Sequence, residues 1–164
     1  MKLSRVNERL YRSDQPSLGD LEDLRAMGIE TIINLRREDA RLWRAEGERA
    51  RELGMRFFHF PFYGVFGART KFLDAILREM TRPENGVVLV HCLNGQDRTS
   101  LLIGLHNVIH GGSSADQSWA ADFVAHGHDP DRPPPRWRSG VRHFFYRNFR
   151  RTFHRHLAAR AHRD

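Results

Sequence analysis

The sequence predicts an α/β fold in which a mostly parallel sheet of four to five strands is flanked by helices. Short apolar runs, which are typical of strands, alternate along the chain with longer segments in which apolar residues recur every three or four positions. The 164 residues suit one compact domain, and 40% of them are hydrophobic, which is enough material for a core.

Four segments have the composition of strands. Residues 31–35 and 87–90 are continuous apolar or β-branched runs, as expected for strands that are covered on both faces. Residues 9–13 contain fewer apolar side chains, and residues 56–62 are rich in aromatic side chains. Because predicted helices separate these segments, we expect neighbouring strands to run parallel.

Five segments of the main body have helical spacing. Ser17 and Asp20 form a capping sequence before the first helix, and Gly28 ends it. The other predicted helices span residues 39–53, about 72–80, about 99–110 and 114–125.

Cys92 is the only cysteine in the sequence, which excludes an internal disulfide and a multi-cysteine zinc site. No apolar run approaches the length that spans a bilayer, and residues 1–10 lack the apolar stretch of a secretory signal. We therefore expect a cytoplasmic protein, and the sequence predicts neither a metal nor a cofactor.

The net charge of +7 is concentrated at the C-terminus, where ten arginines and no carboxylate lie between Arg132 and Arg163. This change in composition predicts a main domain over residues 1–131 and a basic, helical segment over residues 132–164. Apolar residues in that segment are spaced by four, at Val141, Phe145, Phe149, Phe153 and Leu157. The segment is predicted either to contact anionic lipid or nucleic acid, or to be a docked helix with a solvated basic face.

The residues from His91 to Thr99, His-Cys-Leu-Asn-Gly-Gln-Asp-Arg-Thr, carry the clearest chemical pattern. They place a cysteine at the carboxyl end of an apolar strand, where open α/β sheets bind ligands, and an arginine at the start of a helix. Loop amides and a helix N-terminus can surround an anion, and the central glycine allows the tight turn this requires. We predict a phosphate-binding loop whose substrate contacts come from Leu93, Asn94, Gly95, Gln96, Asp97 and Arg98.

Cys92 is the predicted nucleophile. A neighbouring arginine and a helix N-terminus favour its thiolate, which can attack phosphorus and form a cysteinyl-phosphate that water then hydrolyses. Arg98 is predicted to grip two phosphate oxygens through its planar guanidinium. Thr99 is predicted to hydrogen-bond the sulfur and assist its departure, and His91 to orient the loop. Backbone dipoles and arginine can stabilise the transition state without a metal.

The pattern Cys-x5-Arg-[Ser/Thr] resembles the signature of the cysteine-dependent phosphatases. Residues 10–16, Leu-Tyr-Arg-Ser-Asp-Gln-Pro, and 28–36, Gly-Ile-Glu-Thr-Ile-Ile-Asn-Leu-Arg, are similar to segments of the atypical dual-specificity phosphatases of plants, fungi and bacteria. Glu46 also matches an acidic position of that family. The resemblance covers roughly residues 9–128. It implies a protein-tyrosine-phosphatase-like fold for residues 1–131 and the hydrolysis of phosphotyrosine, phosphoserine/threonine, inositol polyphosphates or pyrophosphates.

The resemblance is incomplete where the family supplies a general acid. Its members often carry an aspartate on a loop before the helix that precedes the signature, but residues 60–71 contain no Asp or Glu. Asp97 is therefore a candidate acid, and its Asp-Arg-Thr context is similar to that of the myotubularin lipid phosphatases. The alternative is that Asp97 pairs structurally with Arg98. Ser100 stands where the family usually has glycine.

Six further residues are weaker candidates for the site. His59 and Asp14 are alternatives for the acid, although a core histidine and a capping turn explain them as well. Arg12 lies in the same N-terminal element as Asp14 and is predicted to belong to the capping turn or to border the pocket. Phe62, Tyr63 and Phe66 are predicted to line the pocket entrance or to belong to the core.

The sequence leaves three functional hypotheses. The first is a phosphatase acting on phosphoproteins, because residues 93–97 contain no lysine for a highly phosphorylated inositide; an inositol phosphate, pyrophosphate or phosphoinositide substrate is its alternative. The second is a catalytically weak phosphate-binding module, and the third is an adaptor for anionic surfaces led by the arginine-rich segment. A metal site at His126, His128 and Asp129 is less favoured than a plain loop.

Overall fold

The computed structural model describes residues 1–62, 69–129 and 141–162, with the side chains of residues 141–148 left outside this description. Within these ranges, five strands form one sheet in the order β1-β2-β5-β3-β4. Their bounds are β1 Ser4–Arg5, β2 Leu10–Ser13, β3 Thr31–Asn34, β4 Arg56–His59 and β5 Val88–His91. The mostly parallel sheet and its flanking helices confirm the predicted fold class.

All strand pairs are parallel except β1 with β2, which is antiparallel. The sequence did not predict β1, because two polar residues carry no periodic signal. His91, the last residue of β5, lies opposite Ser13 of β2 on one side and Asn34 of β3 on the other. The carboxyl ends of the three central strands therefore meet at one edge of the sheet.

The helices are α1 Asp20–Ala26, α2 Ala40–Glu52, α3 Thr70–Thr81, α4 Arg98–Ile109, α5 Ala115–Ser118 and α6 Val141–Ala161. Helices α1 and α2 contribute to one apolar cluster with Ile32 and Leu89, whereas α3, α4 and α6 contribute to a second cluster with Ile33 and Val90. The sheet is thus covered on both faces. Every residue from Thr99 to His106 in α4 is buried, which makes this helix the centre of the larger cluster.

The predicted helix over residues 114–125 is wrong in detail. Ser114 does form the expected capping box with Gln117, but α5 then continues as a π-helical segment, Trp119–Phe123, and a short 3-10 segment, Val124–His126. The wider turn stacks Trp119 on Phe123 with ring centroids 4.3 Å apart. It also turns the carbonyl of Asp122 toward Arg12, which donates to it at 2.9 Å. The interruption of the helix therefore allows the Trp119–Phe123 stack and the hydrogen bond from Arg12, and local sequence patterns predict neither contact.

The C-terminal segment packs against the rest of the chain. Phe149 and Phe153 of α6 are 3% and 0% exposed and belong to the larger apolar cluster. Asp74 of α3 also lies 3.2 Å from Nε2 of His156 and 3.3 Å from Arg160. These contacts favour the docked-helix alternative for residues 132–164; the proline-rich stretch at residues 130–135 and the side chain of Phe145 lie outside the described residues.

Replacing Phe153 by alanine is expected to lower the free energy of unfolding by about 3–5 kcal/mol, because a fully buried phenyl ring is removed and a cavity remains. Chemical denaturation would measure it. Arg151→Ala, at an exposed position of the same helix, is the control and should change the free energy by less than about 0.5 kcal/mol. Equal effects of the two substitutions would show that α6 is not part of the core.

No helix in the described ranges combines the length and apolarity that crossing a membrane requires.

Candidate active site

Cys92 follows β5 directly, at the sheet edge where the central strands end, and it is 3% exposed. The strand positions its thiol at the floor of a loop that runs from Leu93 to Arg98. Within the described residues, none of the backbone amides of residues 93–98 donates a hydrogen bond to the protein. A loop whose amides are free of protein partners has donors available to an anion, as the sequence predicts for this loop.

Gly95 gives the loop its tight curvature. Its φ of +66° is a left-handed conformation that other residues rarely adopt, and an added Cβ would lie 2.7 Å from the carbonyl oxygen of Ser13. The predicted role of this glycine matches the geometry, because the loop here passes directly over the end of β2.

Arg12 braces the outer side of the loop. It is 2% exposed, and its Nη2 donates to the carbonyl of Gly95 and to Oγ of Ser100, each at 2.7 Å. Burial lowers the pKa of Arg12 to about 10, although Asp122 and Cys92 act against that shift, so Arg12 stays charged at neutral pH. The Ser100 hydroxyl, which departs from the family glycine, is thus an acceptor for this brace.

Arg98 is held by Glu38, which lies in the loop between β3 and α2. Nη1 and Nη2 of Arg98 donate to the two carboxylate oxygens of Glu38 at 3.1 and 2.8 Å, and Nη1 also donates to the carbonyl of Leu35 at 3.1 Å. Burial would lower the pKa of Arg98, but Glu38 and the nearby Cys92 outweigh it and raise the pKa.

The Glu38 contact leaves one edge of the Arg98 guanidinium open. A guanidinium can bind an oxyanion through its Nη1–Nη2 edge or through its Nε–Nη2 edge. Glu38 occupies the first edge, and no described residue accepts a hydrogen bond from Nε. The glutamate therefore orients the arginine and leaves a bidentate edge for a phosphoryl group.

Burial would raise the pKa of Glu38, but hydrogen bonds from Arg98 and from the backbone amides of Glu38 and Arg37 outweigh it and lower the pKa to about 2. Because the pKa of Glu38 is depressed in the folded protein, its ion pair with Arg98 contributes fully to stability above the ordinary pKa of a glutamate. That contribution is lost only as the pH falls toward about 2. The pair should therefore stay intact from neutral pH to pH 5.

We predict that Glu38→Gln lowers kcat/KM by about tenfold, because a charge-assisted contact that orients Arg98 is lost. The ratio of wild-type to variant kcat/KM for an aryl phosphate should stay constant between pH 5 and 8. Glu48→Gln, at an exposed position of α2, is the control and should leave kcat/KM unchanged. A ratio that falls toward unity near pH 5 would mean that Glu38 titrates in the ordinary range.

His91 is fixed from the opposite side by Glu46 of α2. Its Nε2 lies 2.7 Å from Oε1 of Glu46, whose Oε2 accepts from Asn34 at 2.7 Å and from Gln15 at 2.9 Å. Burial would raise the pKa of Glu46, but these partners, His91 first, outweigh it and lower the pKa. This buried carboxylate ties the ends of β2, β3 and β5 together beneath the loop.

Thr99 and Asp97 flank Arg98 and are placed differently. The Thr99 hydroxyl is buried and has no hydrogen-bond partner among the described residues, so it is available to a group in the pocket. Asp97 Oδ1 instead lies 2.7 Å from Nδ1 of His128.

The weaker acid candidates have other partners. His59 stacks on Trp43 at 4.0 Å, and its Nε2 lies 2.6 Å from the carbonyl oxygen of Arg36. Asp14 lines a cavity of about 340 Å³ beside the loop and accepts from the amide of Lys2 at 2.6 Å. Among the described residues, neither side chain forms a hydrogen bond or an ion pair with Cys92 or Arg98.

The remaining candidates are the residues of the predicted pocket entrance and the less favoured metal site. Phe62 is 3% exposed in the core, and its carbonyl lies 3.5 Å from Nη1 of Arg98; Tyr63 and Phe66 lie outside the described residues. In the part of the chain that the structure describes, no three His, Cys, Asp or Glu side chains are grouped to hold a metal ion.

The sequence did not predict Glu38 as the partner of Arg98 or His128 as the partner of Asp97, and it predicted Arg12 only as a residue of a capping turn or of the pocket border. Glu38 is separated from Arg98 by 60 residues and Arg12 from Gly95 by 83, so no local spacing reveals either contact. The parallel strand order is the one signal that could have placed the loop after β3 beside the loop after β5.

Known proteins match most of this chain in sequence. Residues 2–129 match a family model described as a DSP-PTPase phosphatase fused to NAD+ kinase. A beta-lactamase hydrolase-like protein of Xylella fastidiosa is 33% identical over 136 residues, which are 80% of this chain and 31% of that protein. The dual specificity protein phosphatase TpbA of Pseudomonas aeruginosa is 23% identical over 127 residues, 77% of this chain and 55% of TpbA. The chain thus spans about a third to about half the length of these relatives.

Solved structures show the same fold. The core catalytic domain of the PP-IP phosphatase SIW14 from S. cerevisiae, in complex with citrate, superposes with a TM-score of 0.67 at 19% identity, covering 90% of this chain and 82% of that one. The family match extends over most of the chain and includes the cysteine loop and the residues that brace it. The chain belongs to the family of DSP-PTPase phosphatases.

Proposed function

We propose that this protein hydrolyses phosphomonoesters through a cysteinyl-phosphate on Cys92, with phosphotyrosine and phosphoserine/threonine of proteins as substrates. The observation that carries the proposal is the loop between the buried Cys92 and α4, in which the amides of residues 93–98 donate to no described residue. Free amides in such a loop can hold the equatorial oxygens of a phosphoryl group.

In the first step, the Cys92 thiolate attacks phosphorus, the P–O bond to the leaving group breaks, and the leaving oxygen takes a proton. The open Nε–Nη2 edge of Arg98 and the loop amides hold the three equatorial oxygens as charge builds on them. In the second step, water attacks phosphorus and the S–P bond breaks. The unpartnered Thr99 hydroxyl is proposed to donate a hydrogen bond to the departing sulfur.

A protein substrate is favoured by the pocket's chemistry. The loop residues 93–97 contain no lysine, and Leu93, the residue after Cys92 in the sequence, is apolar and 42% exposed. A loop of this composition suits an aromatic ring or a peptide segment better than a highly phosphorylated inositide.

A second candidate substrate is a phosphoanhydride, such as an inositol pyrophosphate. It is favoured by the absence of Asp and Glu from residues 60–71, the segment that supplies the acid in many family members. A phosphate leaving group needs no proton, whereas an alkoxide or phenolate gains about 10² to 10⁴ in rate from one.

The experiment is a leaving-group series in the presence of EDTA, with a nitrophenyl phosphate, phosphotyrosine, a phosphoserine peptide and a pyrophosphate. Turnover with a phosphoryl group trapped on Cys92 after acid quenching supports the proposal. Fast turnover of the pyrophosphate alone would favour the anhydride substrate. Phosphopeptide binding without turnover of any substrate would leave a phosphate-binding module, and a strict metal requirement would end the cysteine mechanism.

A further inference from the structure

Asp97 stands at the N-terminal boundary of α4, yet its side chain does not cap this helix. An aspartate at that position usually accepts hydrogen bonds from the amides of the first helical turn. Here Oδ1 is instead 2.7 Å from Nδ1 of His128, and the first-turn amides stay unpaired by any described residue.

His128 is a rigid partner for that carboxylate. It is 3% exposed, and its backbone amide donates to the carbonyl of Phe123 at 2.9 Å. The ring packs edge-on against Trp119, Phe123 and Phe149, with centroids 5.3, 5.6 and 5.8 Å away. Because three aromatic rings fix the imidazole, its bond to Asp97 has a defined direction.

The residue before His128, Gly127, also packs against the loop of residues 93–98. An added Cβ at Gly127, whose φ is +84°, would lie 2.6 Å from the side-chain amide of Gln96. The loop and Gly127, which follows the 3-10 segment and precedes His128, are therefore in close contact.

A carboxylate released at this position would oppose substrate binding. It would lie beside the same amides that receive the phosphate, both competing for them and repelling the dianion. The His128 contact removes that competitor and leaves the positive end of α4 to the ligand.

We propose that His128 is a positioning residue that holds the Asp97 carboxylate away from the amides of residues 93–98 and thereby keeps the phosphate site open. The proposal rests on the proposed function only in that the loop binds phosphate. It assigns Asp97 a role other than the general acid that its sequence context predicts.

The test measures the affinity for inorganic phosphate by calorimetry in the full chain, so it does not depend on turnover. His128→Phe keeps an aromatic ring in the same pocket and removes the hydrogen bond; it should weaken phosphate binding by about tenfold. Asp97→Ala removes the carboxylate itself and should bind phosphate at least as tightly as wild type. The double variant should bind like Asp97→Ala, because without the carboxylate there is nothing for His128 to hold.

This suppression separates positioning from a packing defect. If the double variant binds phosphate as weakly as His128→Phe, the histidine acts through packing and the proposal is overturned. His154→Phe, at an exposed position of α6, is the matched control and should bind phosphate like wild type.

Two further outcomes keep the proposal testable if His128→Phe does not fold. His128→Asn retains a donor near the position of Nδ1 and should bind phosphate within threefold of wild type. Asp97→Asn retains the acceptor but not the charge and should turn over good and poor leaving groups in the wild-type ratio. A loss confined to poor leaving groups would make Asp97 the general acid and overturn the proposal. If wild type binds phosphate but turns over nothing, the proposed function fails while this inference stands.

Discussion

Replacing Cys92 by serine is expected to reduce hydrolysis of p-nitrophenyl phosphate by at least about a thousandfold, because a serine hydroxyl is a far weaker nucleophile at neutral pH than a thiolate. The substitution exchanges sulfur for oxygen at a site that is 3% exposed and leaves the loop amides in place. Steady-state kinetics in EDTA would measure the loss.

Binding of inorganic phosphate to Cys92→Ser is the control for this experiment. The dissociation constant should stay within about threefold of wild type or improve, because the amides and Arg98 are unchanged. Retained turnover in this variant would exclude Cys92 as the nucleophile, and lost phosphate binding would show that the loop itself had changed.

Replacing Arg98 by lysine is expected to lower kcat by at least about a hundredfold. Lysine keeps the positive charge but offers no planar pair of donors. It also cannot bind Glu38 through one edge while presenting a second edge to phosphate, as the guanidinium geometry allows. The larger share of the loss should fall on kcat, since the bidentate contact strengthens as charge develops on the phosphoryl oxygens.

Arg41→Lys, at an exposed position of α2, is the matched control and should leave kcat unchanged. A change of less than threefold in Arg98→Lys would mean that this arginine does not touch the transferring phosphoryl group. The free energy of unfolding of both variants should be measured in parallel, because Arg98 also bonds to the carbonyl of Leu35.

The parts of the fold that could be predicted from the sequence are those with a local signal. Strands β3 and β5 are continuous apolar runs, and α3 repeats its apolar residues with helical spacing, so each was placed within one or two residues. The phosphate loop was equally local, because Cys92, Gly95 and Arg98 lie within seven residues of one another.

What could not be predicted depends on contacts between distant segments. The bond from Arg12 to Gly95 and the pair of Glu38 with Arg98 join loops that are adjacent only in the folded sheet. The change from α-helix to π-helix at Trp119 depends on which side chains pack into the core. The spacing of apolar residues in the sequence does not predict it. Asp97 shows the limit most clearly. Its sequence context predicts either a general acid or a structural pair with Arg98, whereas its partner in the structure, His128, is 31 residues away.

Because α6 packs into the core, it determines at which residue this domain could be joined to another domain in a longer polypeptide. The matched family segment ends at residue 129, but the ring of Phe153 that covers Phe123, with centroids 5.4 Å apart, comes from beyond that point. A fusion joined at residue 129 would leave Trp119, Phe123 and His128 facing solvent unless the next domain brought an apolar surface of its own. In this chain, the segment that folds as one unit is therefore longer than the segment that matches the family, because it includes α6.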